Sequence, residues 1–170
     1  MARITDNGRA QFQDLIARHR KIIFKVANTY AHGREDRADL AQEIAAQCWR
    51  AFSSYDRQRS FSTWLYRIAL NVAISFLRGT RHRDHHAVAL DEELHDVASQ
   101  DAADIENDER LRALSRFIEQ LDPLNRALLL LYLEERSYRE TADILGISET
   151  NVATKISRLK QRIRSHIAHD

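Results

Sequence analysis

The last helix-like segment of the sequence carries polar and basic side chains in a pattern suited to nucleic-acid contacts. Between residues 150 and 169 there are five Lys and Arg residues and no Asp or Glu. Polar side chains near the start of such a helix can reach base edges, whereas Lys and Arg further along suit phosphates. We therefore expect contacts with duplex DNA from the following side chains: Thr150, Asn151, Thr154, Lys155, Ser157, Arg158, Lys160 and Arg162.

A short bend connects this segment to another helix. In ETADILGISETNV, residues 140–152, only a tight turn fits between two helical runs. Gly146 can take the positive φ that such a turn needs, and Ser148 can cap the helix expected over about 149–167. This arrangement predicts a helix-turn-helix. The alternative is a helical hairpin with a solvated basic face.

Aromatic and arginine side chains are interleaved between residues 57 and 78. A protein that holds unpaired bases needs aromatic platforms or closed pockets, together with cations for the phosphates. Trp64 and Phe61 could instead belong to the core, and Asn71 interrupts an apolar stripe, where a buried amide needs a partner. If this segment binds single-stranded DNA, the contacts would come from Arg57, Arg59, Phe61, Trp64, Arg67, Asn71 and Arg78.

Three polar side chains form a further candidate surface. Asp39 precedes Gln42 by three residues and Glu43 by four. These spacings make side chains neighbours on the surface of a helix. From the residues alone, the surface is either solvated or a protein-binding site.

The distribution of helix formers and breakers predicts an all-α chain. Only four Gly and one Pro occur among 170 residues, and apolar residues recur at helical spacing. We expect two small helical domains. The N-terminal three-helix bundle covers residues 9–82, with helices at about 9–31, 37–52 and 61–79. The C-terminal four-helix domain covers residues 107–170, with a first helix at about 107–120, and contains the helix-turn-helix.

Several helix boundaries follow from capping chemistry. Gly33 should stop the first helix, Asp36 should cap the second and Ser60 should cap the third. In the C-terminal domain, Asp122-Pro123 should begin a helix that contains the apolar run ALLLLYLEE. Ser137 and Glu140 have the spacing of a capping box.

An acidic segment separates the two domains. Residues 84–107 contain eight Asp and Glu and no Lys or Arg, whereas residues 1–83 contain 15 Lys and Arg and seven Asp and Glu. This composition predicts a flexible acidic linker over residues 83–106. The linker is either a solvated spacer or a segment that occupies a basic channel on a partner.

Composition and motifs exclude several classes of protein. The net charge of +1 points to no partner, and no apolar run reaches the roughly 20 residues of a membrane span. The N-terminus lacks the apolar core of a signal peptide, and Cys48, the single cysteine, cannot form an internal disulfide and is expected to be buried. These features predict a cytoplasmic protein. No nucleophile elbow, phosphate loop or metal-ligand spacing occurs, so we expect neither an enzyme nor a metal or other cofactor.

Residues 36–83 as a unit resemble the second conserved region of bacterial sigma factors of the small extracytoplasmic-function group. DLAQE is similar to the family's core-polymerase-binding helix, and RSFSTWLYRIALNVAISFLR to its minus-ten promoter-reading segment. SYRETADILGISETNVATKISRLKQRIR resembles the fourth region, which binds the minus-thirty-five element. The resemblance covers about residues 10–167. It implies a sigma factor that binds bacterial core RNA polymerase, directs promoter-specific initiation and aids promoter opening.

The resemblance also implies roles for particular residues and partners. Asp39, Gln42 and Glu43 would dock on a coiled coil of the polymerase's largest subunit. The loop Asp56–Ser62 would pocket a flipped base, and Asn71 would contact a base. The acidic linker would thread the polymerase's RNA-exit path. The free factor would be a monomer, held inactive by an anti-sigma factor.

The recognition helix departs from the family pattern in two places. Ala153 stands where a basic residue is common, and Thr154-Lys155 stand where Ser-Arg is frequent. Base readout is therefore expected to rely on Thr154, Ser157 and Arg158. Two other functions are possible: a dimeric helix-turn-helix regulator that binds duplex DNA without polymerase, and a protein-interaction module, such as an anti-sigma decoy.

Overall fold

Helices are the only regular elements in the part of the chain that the structure describes. The computed structural model describes residues 6–84 and 102–167, and these ranges contain seven α-helices and one 3₁₀ turn. The all-α prediction is confirmed, whereas most of the predicted acidic linker lies outside the described residues. Within the same ranges, no helix is both long and apolar enough to cross a membrane.

Three long helices form the N-terminal bundle. Helix α1 comprises Asp6–Tyr30, α2 comprises Arg34–Ala51 and α3 comprises Phe61–Asp84, and a 3₁₀ turn follows α2 at Phe52–Ser54. Each helix packs against the other two, because each has an apolar face. Fully buried side chains from all three helices meet at the centre: Val26, Leu40, Ile44, Cys48, Leu65 and Ala69. The predicted burial of Cys48 is confirmed.

The connection between α1 and α2 differs from the prediction. Helix α1 ends at Tyr30, and Gly33, with φ of 76°, is the N-cap of α2 and not the stop of α1. Asp36 therefore lies inside the first turn of α2 and does not cap it. A glycine suits this N-cap because the chain needs a positive φ to turn from α1 into α2. The negative charge of Asp36 still interacts favourably with the positive end of the helix dipole.

The buried face of α3 is rotated relative to the prediction. The spacing of apolar residues along the helix predicts that Leu65, Ile68, Val72 and Phe76 point inward, but Ile68, Val72 and Phe76 are only partly buried. The covered face consists of Phe61, Leu65, Tyr66, Ala69, Leu70 and Ala73. Helix α3 packs against α1 and α2 and also against a helix of the C-terminal domain, α6 (Tyr138–Leu145). The Arg136 guanidinium, just before α6, lies over the Tyr66 ring of this face.

Four helices form the C-terminal domain. Helix α4 comprises Ala102–Gln120, α5 comprises Pro123–Leu133, α6 follows, and α7 comprises Glu149–Ile167. Helix α7 has the predicted limits, and α6 begins directly after Ser137, as the capping box predicts. Helix α4 begins before the expected residue 107 and α3 ends at Asp84, so helices occupy both ends of the proposed linker 83–106.

The helix caps of the C-terminal domain agree with the prediction. The Asp122 side chain accepts a hydrogen bond from the backbone N–H of Asn125, with Pro123 at the first helical position. Both hydrogen bonds of the Ser137–Glu140 capping box are present. Ser148 Oγ accepts from the backbone N–H of Asn151 at 3.1 Å. These caps depend only on residues within one helical turn, which is why the sequence predicts them well.

The two domains pack directly against each other. Helices α1 and α3 of the N-terminal bundle contact α5 and α6 of the C-terminal domain. Ala127, Leu131 and Ile144 of the C-terminal domain are buried in the same apolar cluster as the bundle core. We call this the closed arrangement.

Candidate nucleic-acid and polymerase interface

The predicted helix-turn-helix is formed by α6 and α7 around a small apolar cluster. Leu128 of α5, Ala142 of α6, and Val152 and Ile156 of α7 pack together. Gly146 ends α6 with φ of 68°, and its N–H donates to the Ala142 carbonyl at 2.8 Å. A Cβ on Gly146 would meet no atom within 4 Å. The turn therefore needs glycine for its backbone conformation and not for space.

The outer face of α7 is exposed and polar. Thr154 Oγ1 donates to the Thr150 carbonyl at 3.0 Å, so this hydroxyl proton is already engaged within the helix. Arg158 and Arg162 extend the exposed face along the helix. Six of the eight predicted contact residues are exposed: Thr150, Asn151, Thr154, Ser157, Arg158 and Arg162.

The two lysines in the predicted set are placed differently. Lys155 and Lys160 are half-buried. Lys160 Nζ lies 4.5 Å from the ring centre of Tyr132, and hydrogen bonding to Tyr132 raises the pKa of Lys160. Lys160 is therefore directed toward α5 in this structure. Its predicted phosphate contact would require the side chain to leave Tyr132.

The loop before α3 presents two arginines. Arg57 Nη2 donates to Gln11 Oε1 of α1 at 2.7 Å, and Arg59 Nε lies 3.9 Å from Asp56 Oδ2. Arg57 and Arg59 are both exposed. Their charges can meet a phosphate backbone without any rearrangement of the core.

The predicted aromatic platforms belong to a packed aromatic cluster. Phe61 is only 6% exposed, and its ring lies 5.5 Å from that of Tyr55. The structure contradicts the prediction that Phe61 is a stacking platform for DNA, because its ring is covered by neighbouring aromatic side chains. Trp64 is half-buried, with its ring 5.1 Å from Tyr55 and 5.2 Å from Phe61. A base contact by Trp64 stays a prediction.

Asn71 lies on the exposed face of α3. The expectation that it interrupts a buried apolar stripe was wrong, because the buried face is rotated away from it. Arg67, Asn71 and Arg78 are all exposed, and their spacings of four and seven residues place them along one face of the helix. Their contacts with the minus-ten segment stay predictions.

The predicted polymerase-binding surface is intact on α2. Asp39, Gln42 and Glu43 are exposed. Glu43 Oε1 accepts from Gln47 Nε2 at 2.9 Å and lies 3.6 Å from Arg50 Nη1. The helix holds the three side chains together on one surface.

The sequence did not predict the role of Arg126, which is only 3% exposed. Arg126 Nη2 donates to the carbonyl of Glu119 at 2.9 Å and to that of Leu121 at 3.3 Å, at the end of α4. Its Nη1 donates to the Thr29 carbonyl of α1 at 3.4 Å. The guanidinium therefore joins the carboxyl ends of two helices from different domains, where a positive charge is favoured. The one sequence signal is a lone arginine at the start of an apolar run.

Other unpredicted contacts lie beside Arg126 in the closed arrangement. Tyr30 Oη donates to the Pro123 carbonyl at 2.7 Å, and Lys25 Nζ lies 2.5 Å from Glu134 Oε2. Arg136, between α5 and α6, makes two contacts with α3: Nη1 donates to Ser62 Oγ at 3.0 Å, and the guanidinium lies 5.1 Å from the ring centre of Tyr66. The α5–α6 connection thus rests against the predicted minus-ten segment.

Two family descriptions match the chain in the expected order. Residues 15–83 match Sigma-70 region 2, and residues 111–163 match Sigma-70, region 4. The first match contains α2, the arginine-bearing loop and most of α3. The second contains the helix-turn-helix.

Known proteins are similar over nearly the whole chain. The ECF RNA polymerase sigma factor SigW of Bacillus subtilis is 30% identical, over 92% of this chain and 88% of the relative. The ECF RNA polymerase sigma-E factor of Haemophilus influenzae is 28% identical, over 97% of this chain and 92% of the relative. The fold is similar to that of the sigma factor RpoE of Bartonella quintana, solved with its anti-sigma factor NepR. That match has a TM-score of 0.62 and 19% identity, over 98% of this chain and 99% of the other.

Proposed function

Because the chain belongs to the extracytoplasmic-function group of the sigma-70 family, we propose that it starts transcription by reading two unlike promoter elements for core RNA polymerase. The observation that supports this most strongly is the presence of three exposed surfaces in one small chain. These are the polar surface of α2, the arginine-bearing loop with the outer face of α3, and the outer face of α7. A regulator that only bound duplex DNA would need the last surface alone.

Each surface has a proposed contact. The face of α7 enters the major groove at the minus-thirty-five element, with Thr154, Ser157 and Arg158 nearest the bases. Arg57 and Arg59 contact the phosphates of the opened minus-ten segment, and Arg67, Asn71 and Arg78 continue this surface along α3. Capturing an unpaired base offsets the few kcal/mol that unstacking costs.

Contact with both elements requires the closed arrangement to open. The elements are separated by about 25 base pairs, which is about 85 Å at 3.4 Å per base pair. A folded chain of 170 residues has a radius of gyration of about 16 Å, hence a diameter of about 40 Å. In the closed arrangement the folded molecule is therefore too small to contact both elements at once. Binding to polymerase and promoter therefore separates α5 and α6 from α1 and α3.

Run-off transcription with bacterial core polymerase tests the function. The template is the promoter upstream of the chain's own gene, because such factors often drive their own expression. We expect a transcript that depends on the protein and disappears when Asp39, Gln42 and Glu43 are changed to Ala. Asp14→Ala is the matched control, since Asp14 is an exposed carboxylate of α1 outside all three surfaces.

The outcomes separate the alternatives. A transcript that persists in the triple variant would reject the α2 surface as the polymerase contact. Failure of the wild-type protein both to support transcription and to co-purify with core polymerase would favour a dimeric regulator of duplex DNA. Such a regulator would also protect a palindromic site, whereas a monomeric sigma factor protects two unlike elements.

A cross-link tests the opening step. Lys25→Cys and Glu134→Cys place two thiols across the closed arrangement, where a short bismaleimide can join them. Cys48 will not compete, because it is fully buried and burial raises its pKa to about 12. We expect the joined protein to give no run-off transcript, while each single-cysteine variant stays active after the same treatment. Full activity of the joined protein would show that the domains need not separate.

The proposed function also implies how the factor is regulated and which protein performs the chemistry of transcription. An anti-sigma factor that contacts both domains would prevent them from separating. Its removal would release the factor in the cytoplasm. The chain itself catalyses no reaction, since polymerisation belongs to the core enzyme.

A further inference from the structure

The short loop Asp56–Ser60 has a defined shape although all five of its residues are exposed. The backbone N–H of Arg59 donates to the Asp56 carbonyl at 3.0 Å, which closes a β-turn. The N–H of Gln58 donates to Asp56 Oδ1 at 2.9 Å, which adds an Asx turn. The sequence places neither Gly nor Pro in this loop, so its shape depends on these hydrogen bonds.

Tyr55 connects this turn to the folded core. Its Oη donates to the Arg59 carbonyl at 2.7 Å, across the base of the loop. Its ring is stacked with Phe52 at 6.0 Å, edge-on to Phe61 at 5.5 Å and tilted against Trp64 at 5.1 Å. Three aromatic neighbours therefore fix the direction of the phenol. Burial, with a smaller effect of Asp56, raises the pKa of Tyr55, so the hydroxyl stays a donor at neutral pH.

We infer that Tyr55 is a positioning residue for promoter reading: its hydroxyl holds the Arg59 carbonyl, and with it the Asp56–Ser60 loop, in the shape that receives an unpaired minus-ten base. This inference rests on the proposed function. Tyr55 acts through the backbone of Arg59 and contacts no DNA itself. Arg57 is tied separately to Gln11, so the loop is held at two points.

The physical benefit of this contact is preorganisation. Ordering a flexible loop residue on binding costs backbone entropy, and a loop already in its bound shape avoids that cost. A small displacement of the loop would weaken the contact with the correct base more than nonspecific phosphate contacts, which tolerate movement. Loss of the Tyr55 hydroxyl should therefore lower discrimination between bases before it lowers binding to polymerase.

Tyr55→Phe tests the inference while keeping the aromatic ring in its cluster. Run-off transcription is measured on the chain's own promoter and on templates with single substitutions in the minus-ten element. We expect the ratio between the natural and the substituted templates to fall about three- to tenfold, the effect of one lost hydrogen bond. Co-purification with core polymerase should be unchanged.

Tyr30→Phe is the matched control. It removes another tyrosine hydroxyl that donates to a backbone carbonyl at 2.7 Å, but this one lies between the domains. We expect the base-discrimination ratio of Tyr30→Phe to equal that of the wild type. A role of Tyr55 in stability alone would lower transcription from all templates by the same factor and leave the ratio unchanged.

Three results of these transcription measurements would each contradict the inference in a different way. A wild-type ratio in Tyr55→Phe, with core binding intact, overturns the positioning role and leaves the proposed function standing. An equal fall in Tyr30→Phe and Tyr55→Phe also overturns it, because the effect would then not be local to the loop. If the wild-type protein gives no transcript on any template and does not co-purify with core polymerase, both the proposed function and the inference are overturned.

Discussion

The N-terminal bundle encloses one continuous core, whereas the C-terminal domain divides its apolar side chains between two small clusters. Val26, Leu40 and Leu65 belong to a single cluster that all three long helices share. In the C-terminal domain, one cluster surrounds Phe117 and another surrounds Leu128. Three further buried side chains of α5 and α6, Ala127, Leu131 and Ile144, belong instead to the cluster of the bundle.

This difference indicates which domain depends on the other. Burial of apolar area stabilises a fold roughly in proportion to the area removed from water. The three long helices of the bundle share one cluster of buried side chains, so we expect the bundle to fold without its neighbour. Contact with the bundle contributes part of the stability of the C-terminal domain. This contribution is lost when the domains separate. We therefore expect the C-terminal domain, which moves in the proposed opening step, to be the less stable of the two.

The largest expected effect comes from Leu128→Ala in the helix-turn-helix cluster. Leu128 is fully buried, and removing a buried leucine side chain costs about 3 kcal/mol. We expect α6 and α7 to lose hydrogen-exchange protection while α2 retains it. Leu40→Ala is the matched change in the bundle core and should destabilise the bundle by a similar amount. If Leu128→Ala removed protection from both domains equally, the two would unfold as one unit and the comparison would fail.

A smaller effect is expected from Arg126→Met, which weakens the connection between the domains. Met keeps much of the side-chain volume but cannot donate to the carbonyls of Thr29, Glu119 and Leu121. Hydrogen bonds from a charged group are worth about 1.5–3 kcal/mol, so we expect a loss of about 2 kcal/mol in urea unfolding. Arg158→Met, at an exposed position, should leave the midpoint unchanged. Equal stability of the Arg126 variant and the wild type would mean that water satisfies those carbonyls.

Asp122→Ala removes the N-cap side chain of α5, and the resulting loss of stability should depend on pH. Burial alone would raise the pKa of Asp122, but hydrogen bonds from the backbone and side chain of Asn125 and from the Leu124 N–H outweigh it and lower the pKa below its usual 3.8. A lowered folded-state pKa gives stability that is present above the unfolded-state pKa and is lost as the pH falls through the folded-state value. Loss of a cap costs about 1 kcal/mol, so the variant should be less stable by that amount at neutral pH.

Thermal unfolding from pH 7 to pH 2 measures this difference. The gap between wild type and Asp122→Ala should be constant at neutral pH and close below about pH 4, where the carboxyl takes up a proton. A gap that stays the same at pH 2 would show that the cap acts without its negative charge.

The smallest expected effect is a gain in stability from Glu135→Gly. Glu135 has φ of 56° after α5, and two hydrogen bonds close the helix end: from the Glu135 N–H to the Tyr132 carbonyl and from the Arg136 N–H to the Leu131 carbonyl, each at 3.0 Å. Glycine is the usual residue at such a position, so we expect a gain of about 0.5 kcal/mol in thermal unfolding. Gly146 also has a left-handed backbone conformation at a helix end, and Gly146→Ala should therefore lower the stability. Gains from both changes would contradict the assignment of backbone strain to Glu135.

Local chemistry explains the features that could be predicted. Asp122 with Pro123, the Ser137–Glu140 capping box and Gly146 act within one helical turn, so residue types and spacing are enough to identify them. The exposed polar face of α7 follows from helical periodicity in the same way. The α2 surface needed only the spacing of Asp39, Gln42 and Glu43.

The misplaced residues depend on contacts or caps that helical spacing alone does not identify. Helix α3 packs against α5 and α6 of the other domain as well as against α1 and α2, and its buried face does not include Asn71, where periodicity suggested burial. Phe61 and Trp64 join a cluster with Tyr55, so their ring faces depend on the loop that precedes them. Asp36 does not cap α2, because Gly33, three residues earlier, is the N-cap of that helix.

The sequence by itself determined the helical class, the helix ends in the C-terminal domain, the helix-turn-helix and the two sigma-factor regions, because these depend on local backbone preferences and on residue spacing. Only the tertiary structure decided that Arg126 and Arg136 connect the domains and that Lys160 faces Tyr132. It also decided which tyrosine holds the arginine-bearing loop. These outcomes depend on helices that are remote in the chain, and burial and hydrogen bonding between them have no signature in local spacing.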